Sequence, residues 1–199
     1  MGVKIDIFSS ICYIIAKGVL SMNETINNIL SRQTIRSYKK EQISDEALDT
    51  IIKAAVKAPS ARNIQPCHVR FIQNHDYLEG INKDFKEVVG YDTPAYTRWD
   101  VNPVYQTAPT LALIFAEHDE GINAGIMCEN IVIAAQSLSL GTCIIGSIGA
   151  LFEDERANKW KKLFDIPENY KFQIAIAIGI PDEKPEMKPR FDDRIKVIK

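Results

Sequence analysis

The sequence predicts an α+β domain in which helices cover a sheet. Helical and strand-like segments alternate along the chain, the helices outnumber the strands, and the strands are spread over the whole length. A chain of 199 residues is long enough to close one full core, so one domain is expected. Its 46% hydrophobic and 25% charged residues are ordinary for a soluble globular protein.

The first predicted helices lead into and out of a polar stretch. Residues 23–30 form a short helix, and residues 44–58 form a longer one. Ser44 is a good N-cap because its hydroxyl can accept a hydrogen bond from an early helical N–H group. Pro59 ends the second helix, since its ring cannot continue the hydrogen-bond ladder.

The middle of the chain alternates strand and helix. Residues 68–73 predict a strand, and residues 76–89 carry apolar side chains at helical spacing. Residues 90–108 contain Gly, Pro, Tyr and Trp without a clear period, so we expect a loop or a lid. The apolar run at 110–117 predicts a buried strand.

The second half begins with a segment that is apolar almost all round. Residues 122–140 therefore predict a central buried helix, which Gly141 should end as the C′ residue. Residues 142–147 predict a strand and a turn, and residues 153–164 predict an exposed helix. The last strand is expected over 171–181, before a tail rich in proline and charge.

The N-terminal residues 1–21 are interpreted as an extension, and residues 22–199 as the domain. The apolar run at 7–16 is too short to cross a bilayer, which needs about 20 residues. Lys4 before the run permits a signal peptide, but Asp6 argues against one. A helix that docks on the domain or on a second subunit is the other interpretation.

Charge and cysteine placement exclude several function classes. The formal net charge of −2 gives no general electrostatic reason to bind nucleic acid or an anionic membrane. Stable membrane insertion is not expected either. The cysteines and histidines are scattered without a metal-ligand spacing, so we expect no metal site and a reduced, cytoplasmic setting. No arrangement suited to hydrolysis is present, and no catalytic side chain is predicted.

Two clusters of cationic residues could bind an anion. Arg32 and Arg36 lie four residues apart around Thr34, and on a helix start or a turn they could converge on one anion. Lys188 and Arg190 place two more cations on an extended tail. Each cluster taken alone is equally explained by solvated side chains on a surface.

Two turns carry residues suited to a planar ligand. Between Pro59 and Pro66, the polar side chains of Ser60, Asn63 and Gln65 could hydrogen-bond a ring edge that alternates N–H and C=O groups. Further on, glycines follow an apolar strand in "CIIGSIG", where backbone could approach a ligand closely. Each segment is also compatible with an ordinary turn.

The order of these segments resembles the FMN-dependent nitroreductase family. The chain shows Arg-x-Thr-x-Arg, then "APSARNIQP", "YQTAPTLALIF", a long helix running into "LSLGTCIIGSI", and "IAIAIGIPDEKP" before Lys-x-Arg. The resemblance covers about residues 24–192. It implies a central, mostly antiparallel sheet flanked by helices, in a homodimer with exchanged terminal extensions.

The resemblance also implies a role for particular residues in binding FMN. The phosphate would be held by Arg32, Thr34 and Arg36, with Gln33 among them, and by Lys188 and Arg190 from the tail. The turn that lines the flavin ring, supplied by the partner subunit, would be Pro59, Ser60, Ala61 and Asn63. The strand end near flavin N5 would be Ile145, Gly146 and Ser147.

The implied activity is reduction of nitro compounds or quinones by NADH or NADPH, through FMN and ping-pong hydride transfer to a small-molecule acceptor. A non-catalytic flavin-binding or flavin-delivery protein, or a flavin-dependent dehalogenase-type reductase, is the alternative. The sequence departs from the family at Gln33, Thr34, Cys67 and Asn123. Cys67 stands where Trp is usual, which changes the wall near the flavin and puts the preferred acceptor in doubt.

Overall fold

A computed structural model of the protein describes residues 23–91, 103–191 and 193–199. The predicted extension over 1–21 and most of the predicted loop or lid over 90–108 lie outside these residues. The chain divides into two compact units, residues 1–32 and residues 33–199. In the first unit, helix α1 (Glu24–Ser31) begins after Asn23, whose side chain accepts a hydrogen bond from the Ile26 N–H at 3.0 Å.

The second unit contains the sheet and the remaining helices. Its elements follow in the order α2 (Asp45–Val56), β1 (His68–Ile72), α3 (His75–Val89), β2 (Thr110–Ala116), α4 (Gly121–Ser137), β3 (Gly141–Ile145), α5 (Gly149–Phe152), α6 (Ala157–Leu163) and β4 (Lys171–Gly179). The capping predicted for the second helix is confirmed, because Ser44 accepts from the Ala47 N–H at 3.2 Å.

Within the described residues, the sheet has four strands in the order β1-β2-β4-β3. All three neighbouring pairs are antiparallel, which confirms the predicted sheet type. The central strand β2 is buried along its whole length, as its apolar sequence predicts. Alternate β2 side chains enter two cores: Phe115 packs with α3, α5 and α6, whereas Ile114 packs with α2 and α4.

Two predictions about α4 are wrong. The helix ends at Ser137 rather than near residue 140, because Ser139 takes a left-handed conformation (φ 60°) and reverses the chain. Gly141 is therefore the first residue of β3 and not a helix cap. The helix is also not buried all round, since Ile122 is 82% exposed. Apolar composition alone does not reveal which side of a helix the fold covers.

The prediction of one exposed helix over 153–164 is wrong as well. A turn separates α5 from α6, and in this turn the Asp154 carboxylate accepts from the Arg156 N–H at 2.9 Å. On α6, Ala157 and Trp160 are buried. The indole N–H of Trp160 donates to the buried Asp84 of α3 at 2.7 Å, and this partner, distant in sequence, draws the helix inward.

Candidate functional site

The segment after α1 is extended, so the expectation of a helix start or turn carrying Arg32 and Arg36 is wrong. Arg32 has the backbone angles of a chain leaving a helix (φ −58°, ψ 130°) and belongs to the first unit. Thr34 forms a parallel bridge with Thr142, and the Ile35 N–H donates to the Thr142 carbonyl at 2.9 Å. Residues 34–35 thus lie against the outer edge of β3.

Gly141 allows this close approach. A Cβ atom at residue 141 would lie 2.8 Å from the Ile35 Cβ, well inside van der Waals contact. Ile35 itself is buried in the core on the α3, α5 and α6 side of the sheet. The glycine that the sequence suggested as a helix cap is therefore needed for the contact between the N-terminal segment and β3.

The same segment is also paired with the chain that follows β4. The Lys39 N–H donates to the Ile180 carbonyl and the Asp182 N–H to the Ser37 carbonyl, both at 2.9 Å. The Glu183 carboxylate accepts from the N–H groups of Arg36 and Ser37. The start of the C-terminal tail is therefore held beside Arg36.

The tail cations are exposed. Lys188 and Arg190 follow Glu183 by five and seven residues, in a segment without helix or strand. The Arg36 side chain is exposed as well. The structure thus holds residues 180–183 beside residues 36–39, and the exposed Lys188 and Arg190 follow a few residues further along the tail.

The strand end predicted to lie near the flavin follows directly from β3. Ile145 is buried, while Gly146 and Ser147 are exposed. The carbonyls of Gly146 and Ser147 accept from the N–H groups of Gly149 and Ala150, at 3.0 and 3.2 Å. These bonds fix the turn into α5 and leave Gly146 and Ser147 open to a ligand.

The turn after α2 has a strained backbone that the sequence did not predict. Arg62, Asn63 and Gln65 have positive φ angles of 52°, 57° and 47°. Such angles are uncommon for residues other than glycine and carry a conformational cost. The Ser60 hydroxyl supports the turn by accepting from the Gln65 N–H at 2.9 Å. Pro59, Ala61 and Asn63 are exposed, and Ser60 is half-buried.

A pocket of about 230 Å³ lies beside this turn. Its wall comes from the end of α2, the turn, the start of β1 and the start of α4. We call it the Cys67 pocket, and its residues are Ala55, Val56, Ala58, Pro59, Ser60, Gln65, Pro66, Cys67, His68, Val69, Asn123 and Met127. Burial, and to a lesser degree the nearby Glu120 carboxylate, raises the pKa of Cys67 to about 11, so the thiol is neutral at ordinary pH.

Residues beside the turn and beside Arg36 belong to different cores. Cys67, which follows the turn, packs with the core on the α2 and α4 side. Ile35 and Tyr38 belong to the core on the other side.

Residues 23–91, 103–191 and 193–199 contain no group of three or more His, Cys, Asp or Glu side chains arranged to hold a metal ion. Over the same ranges, the helices are too short or too polar to span a bilayer.

The geometry defines an α+β domain in which the segment 33–39 and the tail after β4 meet at one edge of an antiparallel sheet. Residues 29–180 match the model of the Nitroreductase family. The chain belongs to this family, which confirms the resemblance seen in the sequence.

Individual relatives agree with this assignment. The chain is 30% identical over 190 residues to an NADPH-flavin oxidoreductase of Vibrio harveyi, covering 88% of this chain and 73% of the relative. A nitroreductase with bound FMN from Desulfitobacterium hafniense is 26% identical with a TM-score of 0.83, over 90% of this chain and all of the other. An FMN-dependent nitroreductase from Clostridium difficile is 30% identical with a TM-score of 0.73, over 88% and 99% of the two chains.

Proposed function

We propose that the protein is an FMN-dependent oxidoreductase that uses NADH or NADPH to reduce nitro compounds or quinones by a ping-pong mechanism. The observation that carries this proposal is the bridge between Thr34 and Thr142, which lays the predicted phosphate segment along β3. The same strand leads to Gly146 and Ser147, the predicted flavin contacts. FMN in related structures and the names of the reductase relatives support the choice of cofactor and reductant.

The residues present fit FMN in charge. A phosphate monoester carries roughly −1.5 to −2 charges and three strong acceptor oxygens. Arg36, Lys188 and Arg190 can supply compensating cations in a protein whose net charge is −2. Glu183 is the nearby carboxylate, and its bonds to the Arg36 and Ser37 N–H groups hold it to the backbone.

The residues also fit FMN in length. Thr142 and Ile145 are three positions apart on β3, which corresponds to about 10 Å at the usual rise of a strand. A phosphate at Thr34 and a ring beside Gly146 would therefore be joined by a short chain such as ribityl. The buried Ile145 and the hydrogen-bonded turn after it would hold the backbone still against the ring.

The roles of the protein are binding and orientation. FMN, when bound, carries reducing equivalents between the nicotinamide and the acceptor. Arg36, Lys188 and Arg190 would bind the phosphate, Thr34 would add a hydroxyl, and the backbone at Gly146 and Ser147 would position the ring. No ionisable side chain of this chain is required as a nucleophile.

We further propose that the protein is a homodimer, with the turn at 59–63 facing the cofactor of the partner subunit. The turn is exposed at the surface beside the Cys67 pocket, where a second copy could present its cofactor. Val56 and Ile122 are 65% and 82% exposed on the side of the turn, and this apolar surface suits a subunit contact. Analytical ultracentrifugation should show a dimer, and a monomer that binds FMN fully would contradict it.

The experiment that tests the function begins with the purified protein. We expect a yellow protein whose released flavin is FMN, and NAD(P)H oxidation with a quinone or a nitro compound that gives parallel double-reciprocal lines. Tight FMN without turnover would support a flavin carrier instead. A colourless protein that takes up no FMN would contradict both.

The phosphate assignment has its own test. Arg190→Ala should weaken FMN binding at least tenfold, which is about 1.4 kcal/mol, because a charge-assisted contact is lost. Riboflavin, which lacks the phosphate, should bind equally well to both forms. Arg194→Ala is the matched control, since Arg194 lies over the ring of Phe191 and outside the predicted site. Equal losses for FMN and riboflavin would contradict the assignment.

A further inference from the structure

The Cys67 pocket has the size of a subsite. Its volume is about 230 Å³. An engineered protein cavity of about 150 Å³ binds benzene, whereas sites for drug-sized ligands have about 300–1,000 Å³. The Cys67 pocket therefore has room for one substituted aromatic ring, and it is too small for a whole nicotinamide nucleotide.

The depth of this pocket depends on a small side chain. Cys67 lines the pocket and is half-buried at the start of β1, directly after Pro66. The thiol is neutral, so here it acts as a small apolar group rather than as a nucleophile. A large ring at position 67 would occupy the space that the cysteine leaves open.

The walls of the pocket favour a neutral ligand. Among the described residues, no lysine or arginine lines it. Val56 and Met127 contribute apolar surface, and His68 and Asn123 contribute polar groups. The Asn123 amide donates to the Glu120 carboxylate at 2.6 Å, which places a negative charge close to the pocket. An anionic ligand would meet repulsion there with no cation to offset it.

The pocket is also continuous with the turn assigned to the flavin. Pro59 and Ser60 line it, and both belong to the segment 59–63 that faces the cofactor in the proposed function. A ligand in the pocket would therefore lie next to the residues that line the ring.

We propose that the Cys67 pocket binds a neutral, single-ring part of the electron acceptor, and that Cys67 sets the size of the ring that can enter. This proposal rests on the proposed function. It assigns a substrate class to the site: uncharged monocyclic nitroaromatics or quinones, in preference to acceptors with a carboxylate or sulfonate group on the ring.

The test compares three acceptors with the FMN-loaded protein: nitrobenzene, the anionic 4-nitrobenzoate, and ferricyanide, which needs no ring subsite. We expect kcat/KM for nitrobenzene to exceed that for 4-nitrobenzoate in the natural protein. Cys67→Phe should lower kcat/KM for nitrobenzene by about tenfold or more, because a hydrophobic pocket discriminates on this scale. Its activity with ferricyanide should fall much less than its activity with nitrobenzene, so that the ratio of the two rates falls.

Two further variants isolate the effect of size. Cys67→Leu, which fills less of the pocket, should give an intermediate loss and is informative even where the phenylalanine variant fails to fold. Leu163→Phe adds the same ring to an exposed position of α6 that does not line the pocket, and should change none of the three rates. The ratio of the nitrobenzene and ferricyanide rates in these variants reports on the pocket alone.

A binding measurement without turnover completes the test. The ¹⁹F signal of 4-fluoronitrobenzene should broaden with the natural protein and much less with Cys67→Leu or Cys67→Phe. If the signal did not broaden with the natural protein, the proposal would be overturned. This result is expected where a side chain of a second copy fills the pocket. An equal loss with all three acceptors would also overturn the proposal. Failure of the proposed function is a different result: no FMN uptake, or no NAD(P)H oxidation even with ferricyanide.

Discussion

The two sides of the sheet are built differently. The core under α3, α5 and α6 is aromatic: the ring of Phe115 lies 5.0 Å from Phe152 and 5.9 Å from Phe172, and the latter two stack at 5.2 Å. The core under α2 and α4 consists mainly of aliphatic and small side chains, and the Cys67 pocket opens beside it. Stacked and edge-on aromatic rings therefore fill one core, whereas small and branched aliphatic side chains fill the other.

Polar groups show the same contrast. On the aromatic side, the buried Asp84 accepts hydrogen bonds from Trp160 and from Lys159, the latter at 2.6 Å, and Asn82 accepts from the Val104 N–H at 3.0 Å. These bonds join α3 to α6 and to the chain before β2. On the other side, the turn at 59–65 holds uncommon backbone angles at the surface. Such strain is typical of residues that a ligand must reach.

The largest expected effect is on the aromatic core. Phe115→Ala should lower the free energy of unfolding by about 3–5 kcal/mol, because Phe115 is fully buried and its removal leaves a cavity between two rings. Urea denaturation measures this, with Leu163→Ala on the exposed part of α6 as the control of little effect. A loss below about 1.5 kcal/mol would mean that the packing of Phe115 contributes little to stability.

The second prediction concerns the thiol on the open side. Burial raises the pKa of Cys67 from 9.0 to about 11, so the native state favours the neutral thiol. The stability gained from that preference is present below pH 9 and is lost as the pH rises through 11. At pH 8 the native thiolate should be roughly a hundredfold rarer than in the unfolded chain, two pKa units being a factor of 100. Alkylation of Cys67 by iodoacetamide should be slower to the same degree.

Peptide mass spectrometry assigns the modified cysteine, and the urea-unfolded protein supplies the reference rate. Equal rates of alkylation in the native and unfolded protein at pH 8 would show that Cys67 is open to water. Burial would then not protect the thiol, and the description of the core beside the Cys67 pocket would need revision.

A pair of glycines compares the packing of the two sides directly. Gly80 lies on α3, where an added Cβ would come within 2.7 Å of the Trp160 ring. Gly80→Ala should therefore destabilise the protein by about 1–3 kcal/mol through overpacking, although alanine is the better helix former. Thermal unfolding should show a lower Tm. An unchanged or higher Tm would show that the side chains around Trp160 adjust to the added methyl group at little cost in stability.

The smallest effect should have the opposite sign. Gly125 lies on α4, where an added Cβ would meet no atom within 4 Å. Gly125→Ala should stabilise the protein by about 0.5–1 kcal/mol, because alanine loses less conformational freedom in a helix. If this variant were destabilised instead, a second subunit packed closely over Gly125 would be the first explanation, and the dimer content of the variant would test it.

Features that local interactions control could be predicted from the sequence. Ser44 marks the start of α2, and Pro59 lies just after its end. Both could be predicted because the N-cap hydrogen bond and the steric clash of a proline ring act within a few residues of the chain. The apolar run of β2 predicts burial on both sides without reference to its partners. The family could also be predicted, because the order of its motifs is visible in the sequence. The assigned cofactor residues, from Arg32 to Arg190, stay predictions.

Contacts between segments that are distant in sequence could not be predicted and are seen first in the folded chain. Thr34 pairs with Thr142, and Gly141 leaves space for Ile35. Both contacts join residues about a hundred positions apart in the sequence. Periodicity treats residues 153–164 as one exposed helix, because it contains no information about Asp84 as a partner for Trp160. The Cys67 pocket likewise exists only where α2, the strained turn and α4 meet, since a cavity belongs to the packing of elements and not to any one of them.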